Sequence, residues 1–241
     1  SDFNWFQQKS IIDSFPEEMG IKEITALLSS VGFSSPPNWL RPFHVLSNGE
    51  QFRVSIARAL AELPGIVVID EFTSVVDRTV ARIGSFAVAR TVRKREQKFV
   101  AISCHFDIIE WLDPDWIYFP ATNQFQWRSE RQSRPPVTLE IINVHRKAWE
   151  LFRKHHYLDS TIQKSANCFV ALMDGQPAAF TAVIHFPHRQ SPSFREHRTV
   201  CLPDFQGIGI GNALSEYIAS LYACRKKYTS VTGHPAMIQY R

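Results

Sequence analysis

No stretch of this sequence approaches the roughly 20 consecutive apolar residues that cross a bilayer. The opening SDFNWFQQKS also lacks the charged-then-apolar order of a secretory signal. A soluble, cytoplasmic protein without a membrane span is the expectation. Cysteine is scarce: Cys104, Cys168, Cys201 and Cys224 are far apart, with no CxxC pair, which argues against a disulfide framework or a cysteine-based zinc site and fits a reducing compartment. No Gly-Lys pair occurs anywhere, so the phosphate-gripping loop G-x-x-x-x-G-K-[ST] is missing. Low-complexity tracts and internal repeats are missing too. What is present is 44% apolar and 21% charged residues in a chain of 241, the make-up of a folded protein of one large or two medium domains. The net charge of +4 is a weak pointer to an anionic partner, a nucleotide or nucleic acid, and solvated surface charge explains it equally well.

Residues 1–45 read as mostly helical, with Met19, Ile21, Ile24, Leu27 and Leu28 on one face of PEEMGIKEITALLSSVGF, until SSPPNWLRP breaks the pattern. A polar turn, Leu46 to Gln51, then runs into a basic amphipathic helix. Next come an apolar strand GIVVID (65–70), a helix over about 80–95 and a second strand KFVAIS (98–103). Apolar strands alternating with helices predict a parallel sheet buried on both faces. DWIYFP and FQWR read as strands at the edge of this unit, and SERQSRPP (129–136) has the composition of a linker. Beyond it the order changes to strand VTLEII, helix HRKAWELFRKHHYL, strands CFVALM and AAFTAVIHF joined at Asp174-Gly175, strand RTVCL, a helix from about Ile210 to Cys224, and strand YTSVTG. The Asp-Gly turn makes the middle of this second sheet antiparallel. The fold class expected is α/β for residues 1–128, followed by an α+β unit over 137–241.

Asp70 and Glu71 end a buried strand at its carboxyl end, where open α/β sheets bind ligands, and His105 falls just past the end of the next strand. Alone, the acid pair is ordinary strand-end solvation. In order and spacing, LSNGEQFRVSIARAL, IVVIDEFTSVVD and ISCH resemble the signature motif, the Walker B strand with its D-loop, and the switch histidine of the ABC ATPase family, a P-loop NTPase-like fold present here in part. The resemblance implies that Asp70 holds Mg2+, commonly through water, Glu71 orients or deprotonates the attacking water, His105 contacts the γ-phosphate and Asp77 lies in the D-loop. Ser47, Asn48, Gly49 and Glu50 would present helix N-terminal amides to the phosphate of ATP held by a second subunit, which implies a head-to-tail homodimer. Asn48 and Glu50 stand where the family usually has glycine and glutamine. For Ser47 taken alone, a plain N-cap is the other reading. Because the Gly-Lys loop is missing, these residues read as part of a longer protein, and the chain is expected not to hydrolyse ATP by itself.

In the second unit, RTVCLPDFQGIGIGNALSEYIASLY places a strand, the turn Gln206-Gly207-Ile208-Gly209-Ile210-Gly211 and a helix. The glycines fall at every second position, so a dinucleotide-binding G-x-G-x-x-G is not met. The spacing Q-x-x-G-x-G resembles the acetyl-CoA pyrophosphate loop of the GNAT N-acetyltransferases, and the order of strands and helices over 137–241 resembles theirs. That implies that Gln206, Gly207, Ile208, Gly209, Ile210 and Gly211 hold the cofactor's pyrophosphate, that Val200, Cys201 and Leu202 line the pantetheine arm, and that an unidentified amine is the acceptor. A packing turn without ligand is the other reading. Glu196, His197 and His185 are the candidate bases, Tyr240 stands too early to be the family's acid, and the unit reads as C-terminally incomplete. Arg90, Arg93, Lys94, Arg95 and Lys98, with Arg225, Lys226 and Lys227, form basic clusters in which a nucleic-acid patch competes with solvated helix ends. His155, His156, His185 and His188 lack ligand-spaced partners. The whole reads as an ABC-type ATPase fused to a GNAT-type acetyltransferase, or, alternatively, as a non-catalytic dimer module carrying an acyl-CoA sensor.

Overall fold

The computed structural model describes residues 3–63, 65–128, 137–156, 161–187 and 192–232. The proposed linker 129–136, His188 and Tyr240 lie outside them.

The N-terminal region holds α1 (Ile21–Ser30) and α2 (Pro36–Trp39), with 3-10 turns at Ile12–Ser14 and Phe43–Val45. It is less helical than the sequence suggested. The Pro36-Pro37 pair starts α2 instead of only breaking the chain, since proline suits the first helical positions, where the N–H has no partner anyway. Next is α3 (Asn48–Glu62), opened by a capping box: the Ser47 hydroxyl accepts from the Glu50 amide, and the Glu50 carboxylate takes the Ser47 N–H at 3.0 Å. Its other end stops at Leu63, extended as expected before Pro64.

Strand β1 (Ile66–Ile69) pairs in parallel with β2 (Lys98–Ala101), and α4 (Arg78–Lys94) crosses between them. Asp77 caps α4 by accepting from the amides of Thr79 and Val80. The expectation of a sheet buried on both faces is corrected here. Val67 is buried, but Ile66 is 56% and Val68 50% exposed, because nothing among the described residues covers that face. After α5 (Ile108–Leu112), β3 (Trp116–Phe119) and β4 (Gln124–Trp127) form a separate antiparallel hairpin.

The second half is one five-stranded sheet in the order β5 (Glu140–Val144), β6 (Asn167–Met173), β7 (Gln176–Phe186), β8 (Ser193–Cys201) and β9 (Tyr228–Thr229). The first four strands are antiparallel neighbours. Asp174 and Gly175 turn β6 into β7 with φ of 51° and 76°, as an Asp-Gly hairpin requires. The expected helix after β5 shrinks to α6 (Trp149–Phe152) between 3-10 turns at Arg146–Ala148 and Arg153–His155. Its buried anchors, Trp149 and Phe152, are three residues apart, a spacing that a single α turn or a 3-10 turn satisfies equally, and Arg146, Lys147, Arg153 and Lys154 lie on either side. These anchors pack with Val170, Phe180 and Ala182 on one face of the sheet. The other face carries α7 (Ile210–Ala223) through Ile210, Leu214 and Ile218.

Helix α4 serves both halves. Val88 and Ala89 pack in the first core, whereas Ile83 is fully buried among Met173, Phe205 and Leu214 of the second. Arg82 adds an ion pair to Asp174 in the β6–β7 turn.

Candidate functional site

The carboxyl rim of β1 and β2 gathers the first group of candidate residues. Ile69 lies opposite Ala101, and the Ile102 and Phe72 amides continue the pairing by donating to Ile69 and Ile102 carbonyls. Asp70 and Glu71 on one strand and His105 beyond the other therefore leave the sheet at the same rim. Phe72, fully buried, pins the turn. Glu71 and Thr73 adopt φ of 50° and 70°, a left-handed backbone that costs a non-glycine residue about 1 kcal/mol or more. The Asp70 carboxylate takes the Glu71 N–H at 2.9 Å and leaves its second oxygen exposed. No group of three or more acidic, histidine or cysteine side chains with metal-site geometry occurs among the described residues.

The start of α3 differs from an open anion cradle. The Glu50 carboxylate occupies it, held by the Ser47 N–H and hydroxyl and by Asn38 Nδ2 at 2.6 Å. Asn48 is the first helical residue and needs no left-handed backbone. Gly49 packs against the start of α4, where a Cβ would meet Val80 Cγ1 at 3.0 Å.

In the second half, β8 and β9 pair only at Phe194–Tyr228 and Arg195–Thr229. From Glu196 to Cys201, β8 runs on without β9 beside it, and α7 begins just past this gap. Gly209, at φ 91°, opens α7, and a Cβ placed there meets nothing within 4 Å. The amides of Ile208, Gly209 and Ile210 find no protein acceptor among the described residues. Of the three candidate bases, Glu196 accepts from Thr199 Oγ1 at 2.7 Å and Ser215 Oγ at 2.8 Å, which fixes its carboxylate on β8. His197 Nε2 is taken by the Gln163 amide, and His185 lies edge-on to Phe194.

Gln206 and Gly207 turn toward the first half. The Gln206 side chain accepts from the Ser34 amide and donates to the Cys201 carbonyl, while Gly207 is wedged against Gly32 and Ala87. Sequence reading passed over the residue that makes this contact. Arg53, on α3 and 2% exposed, donates to the carbonyls of Gly32, Gln206 and Asp204 at 2.8–2.9 Å. Burial lowers its guanidinium to about 10, with Asp204 the leading opposing charge, so it remains a cation at neutral pH. The one available signal was an arginine set between Phe52 and Val54 in an apolar stretch.

Burial also pushes the Cys201 thiol up to about 12, against the pull of Arg53 and the Gly211 amide. A thiol that keeps its proton in the folded chain while the unfolded chain loses it above 9.0 makes stability fall as pH rises between those values. We therefore expect iodoacetamide at pH 8 to label the exposed Cys104 and Cys224 well before Cys201. The stability advantage of wild type over Cys201→Ala should shrink as pH rises from 9 toward 12 in urea titrations. Rapid Cys201 labelling at pH 8 would contradict this assignment.

No family model matches the chain. Over 84 residues it is 40% identical to the methionine import ATP-binding protein MetN of Cutibacterium acnes, covering 31% of this chain and 22% of that protein. Over 72 residues it is 36% identical to the oligopeptide transport ATP-binding protein OppD of Lactococcus lactis, covering 30% and 21%. The chain thus spans about a fifth of the length of the curated relatives it matches. Similar solved structures include a GNAT family acetyltransferase of Staphylococcus aureus, at 8% identity and TM-score 0.33 over 40% of this chain and 87% of that one. The ATP-binding cassette MJ0796, solved as a post-hydrolysis dimer with ADP and Pi, matches at 17% identity and TM-score 0.39 over 48% and 53%. Roughly 30% of this chain is thus similar in sequence to ATP-binding proteins of these transport systems. No helix among the described residues is long and apolar enough to cross a membrane.

Proposed function

We propose that residues 137–241 bind acetyl-CoA and transfer its acetyl group to an amine, and that residues 1–128 form an ATP-responsive ABC-type half joined to them through 129–136. The observation that carries this reading is the parting of β8 from β9 after two residue pairs, with unpaired amides of α7 opening at the gap. An extended acyl arm fits between two parted strands, where it can use their free backbone groups, and phosphates suit the start of a 14-residue helix. Of the candidate bases, Glu196, which accepts from Thr199 and Ser215, would take the proton from the acceptor amine, a reading supported by its fixed carboxylate. Its partners position it from two elements.

In the first half, Ser47, Asn48, Gly49 and Glu50, with Asp77, would face ATP carried by a second copy in a head-to-tail homodimer. The exposed oxygen of Asp70 fits a hydrated Mg2+, which would supply charge neutralisation for the phosphates. Glu71 would orient water and His105 would meet the γ-phosphate, since both leave the sheet at the rim that carries Asp70. The Glu50 carboxylate on the Ser47 donors favours the second reading of this half, a dimer module without turnover, because it opposes a phosphate arriving at the same amides.

The test is calorimetric titration of the chain with acetyl-CoA. Wild type is expected to bind, and Gly209→Asp, at a position with open space for the side chain, should bind about tenfold or more weakly, because a carboxylate then faces the phosphates. No binding by wild type, or equal binding by the variant, would overturn the reading.

A further inference from the structure

A cleft of about 560 Å³ lies between the two halves. The first half contributes Phe86, Arg90 and Arg93 of α4 and Arg128 beyond β4; the start of α7, with Ile208 and Ile210, faces them. Apolar walls and converging guanidinium groups suit a ligand with both an apolar part and anionic groups. The charges do not balance. Arg128 is paired with Asp113, 2.7 Å away, and Asp113 is the acidic residue lining the cleft. Arg90 and Arg93 have no carboxylate within ion-pair distance among the described residues, and their protein contacts are backbone carbonyls: Gly207 for Arg90, and Ala89 and Asp113 for Arg93. Each keeps several of its five N–H donors unspent. Burial alone lowers the Arg90 guanidinium, with no acidic neighbour to restore it. Both arginines still reach solvent, so water solvates them in the free chain, and their spare donors stay available to an incoming anion, for which the planar guanidinium fork matches phosphate oxygens best.

We propose that Arg90 and Arg93 hold the phosphates of the coenzyme A moiety, so that the ligand site of the second half is completed by α4 of the first. This rests on the acyl-CoA reading above and adds to it residues that the pyrophosphate loop does not contain. The cofactor would then bridge the halves: its phosphates lie between α4 and α7, and its acyl arm runs toward β8. The ATP-responsive half would act on acyl-CoA affinity directly through the position of α4, whose N-cap is Asp77.

The test titrates the whole chain with coenzyme A and with acetyl-pantetheine, which lacks the phosphates. Arg90→Gln/Arg93→Gln is expected to weaken coenzyme A by roughly a hundredfold, and Arg93→Gln alone by roughly tenfold, as lost charge-assisted contacts predict. Acetyl-pantetheine binding should be unchanged in both, and Lys22→Gln on α1 should leave coenzyme A binding unchanged. The dependence of coenzyme A affinity on salt should flatten in the double variant. Arg93→Gln guards against misfolding, because Arg93 makes no contact with the loop of the second half. Equal coenzyme A affinity in wild type and both variants would overturn the proposal while leaving the acyl-CoA reading intact. Equal loss of acetyl-pantetheine would overturn it too, by showing a distorted loop. If wild type binds no coenzyme A, the acyl-CoA reading falls, and this proposal falls with it.

Discussion

Arg53→Met is expected to destabilise the chain by about 2–4 kcal/mol, because three hydrogen bonds from one charged, buried donor are lost together. Methionine matches the apolar stem of arginine but supplies no donors. The buried carbonyl of Gly32 and the half-buried ones of Gln206 and Asp204 would then lose the donor that ties them together. Asp204 would also lose the cation that pulls its carboxyl down against burial, which already pushes it up. Arg53→Lys should recover only part of the loss, because an ammonium cannot present the planar fork that reaches three carbonyls. Urea unfolding followed by tryptophan fluorescence measures both variants. A loss below about 1 kcal/mol for methionine, within the range of a single net hydrogen bond, would mean that the seam between the halves does not form in solution.

Gly207→Ala should cost about 2–4 kcal/mol through overpacking and left-handed backbone strain together. At φ 97°, its added Cβ would stand 2.7 Å from the Gly32 Cα and 2.9 Å from the Ala87 Cβ. Neither atom belongs to a side-chain end that can swing away. Gly209→Ala is the control: it has a similar φ of 91° but open space, so about 1 kcal/mol of backbone strain alone is expected. Thermal unfolding of the two variants side by side separates the contributions. If both cost the same, Gly207 is not wedged between the halves, and the loop is positioned by its own backbone only.

The elements most legible beforehand were those with local causes. Ser47 could be read as an N-cap and Asp174-Gly175 as a hairpin turn, each through groups adjacent in the chain, whereas the reciprocal role of Glu50 and the capping of α4 by Asp77 emerged only from the structure. The stretch HRKAWELFRKHHYL reads as one helix, yet its described part is a single α turn between 3-10 turns, because apolar anchors three residues apart carry no mark separating a 3-10 repeat from an α repeat. The open face of β1 was misread for a different reason. A run of four apolar residues says that a strand can be buried, and the neighbouring chain decides on how many sides.

The rim of Asp70, Glu71 and His105 and the turn before α7 were readable because strand ends and glycine spacing are local patterns. What the neighbouring half does to them was not. Arg53 and Gln206 are 153 residues apart, and a buried arginine looks like a surface one until its carbonyl partners are placed. Arg90 and Arg93 read as the solvated end of a basic helix, and both are exposed, yet they line one cleft with the start of α7. Sequence alone indicated most of the helices and strands and the hairpin at Asp174-Gly175, since these follow from periodicity and short-range hydrogen bonding. Only the tertiary structure decided that Gly207 is a packing glycine, that Arg53 is a buried tie between the halves, and that two arginines face a cleft without a counter-charge. Contact, desolvation and charge balance are properties of groups brought together from distant parts of the chain.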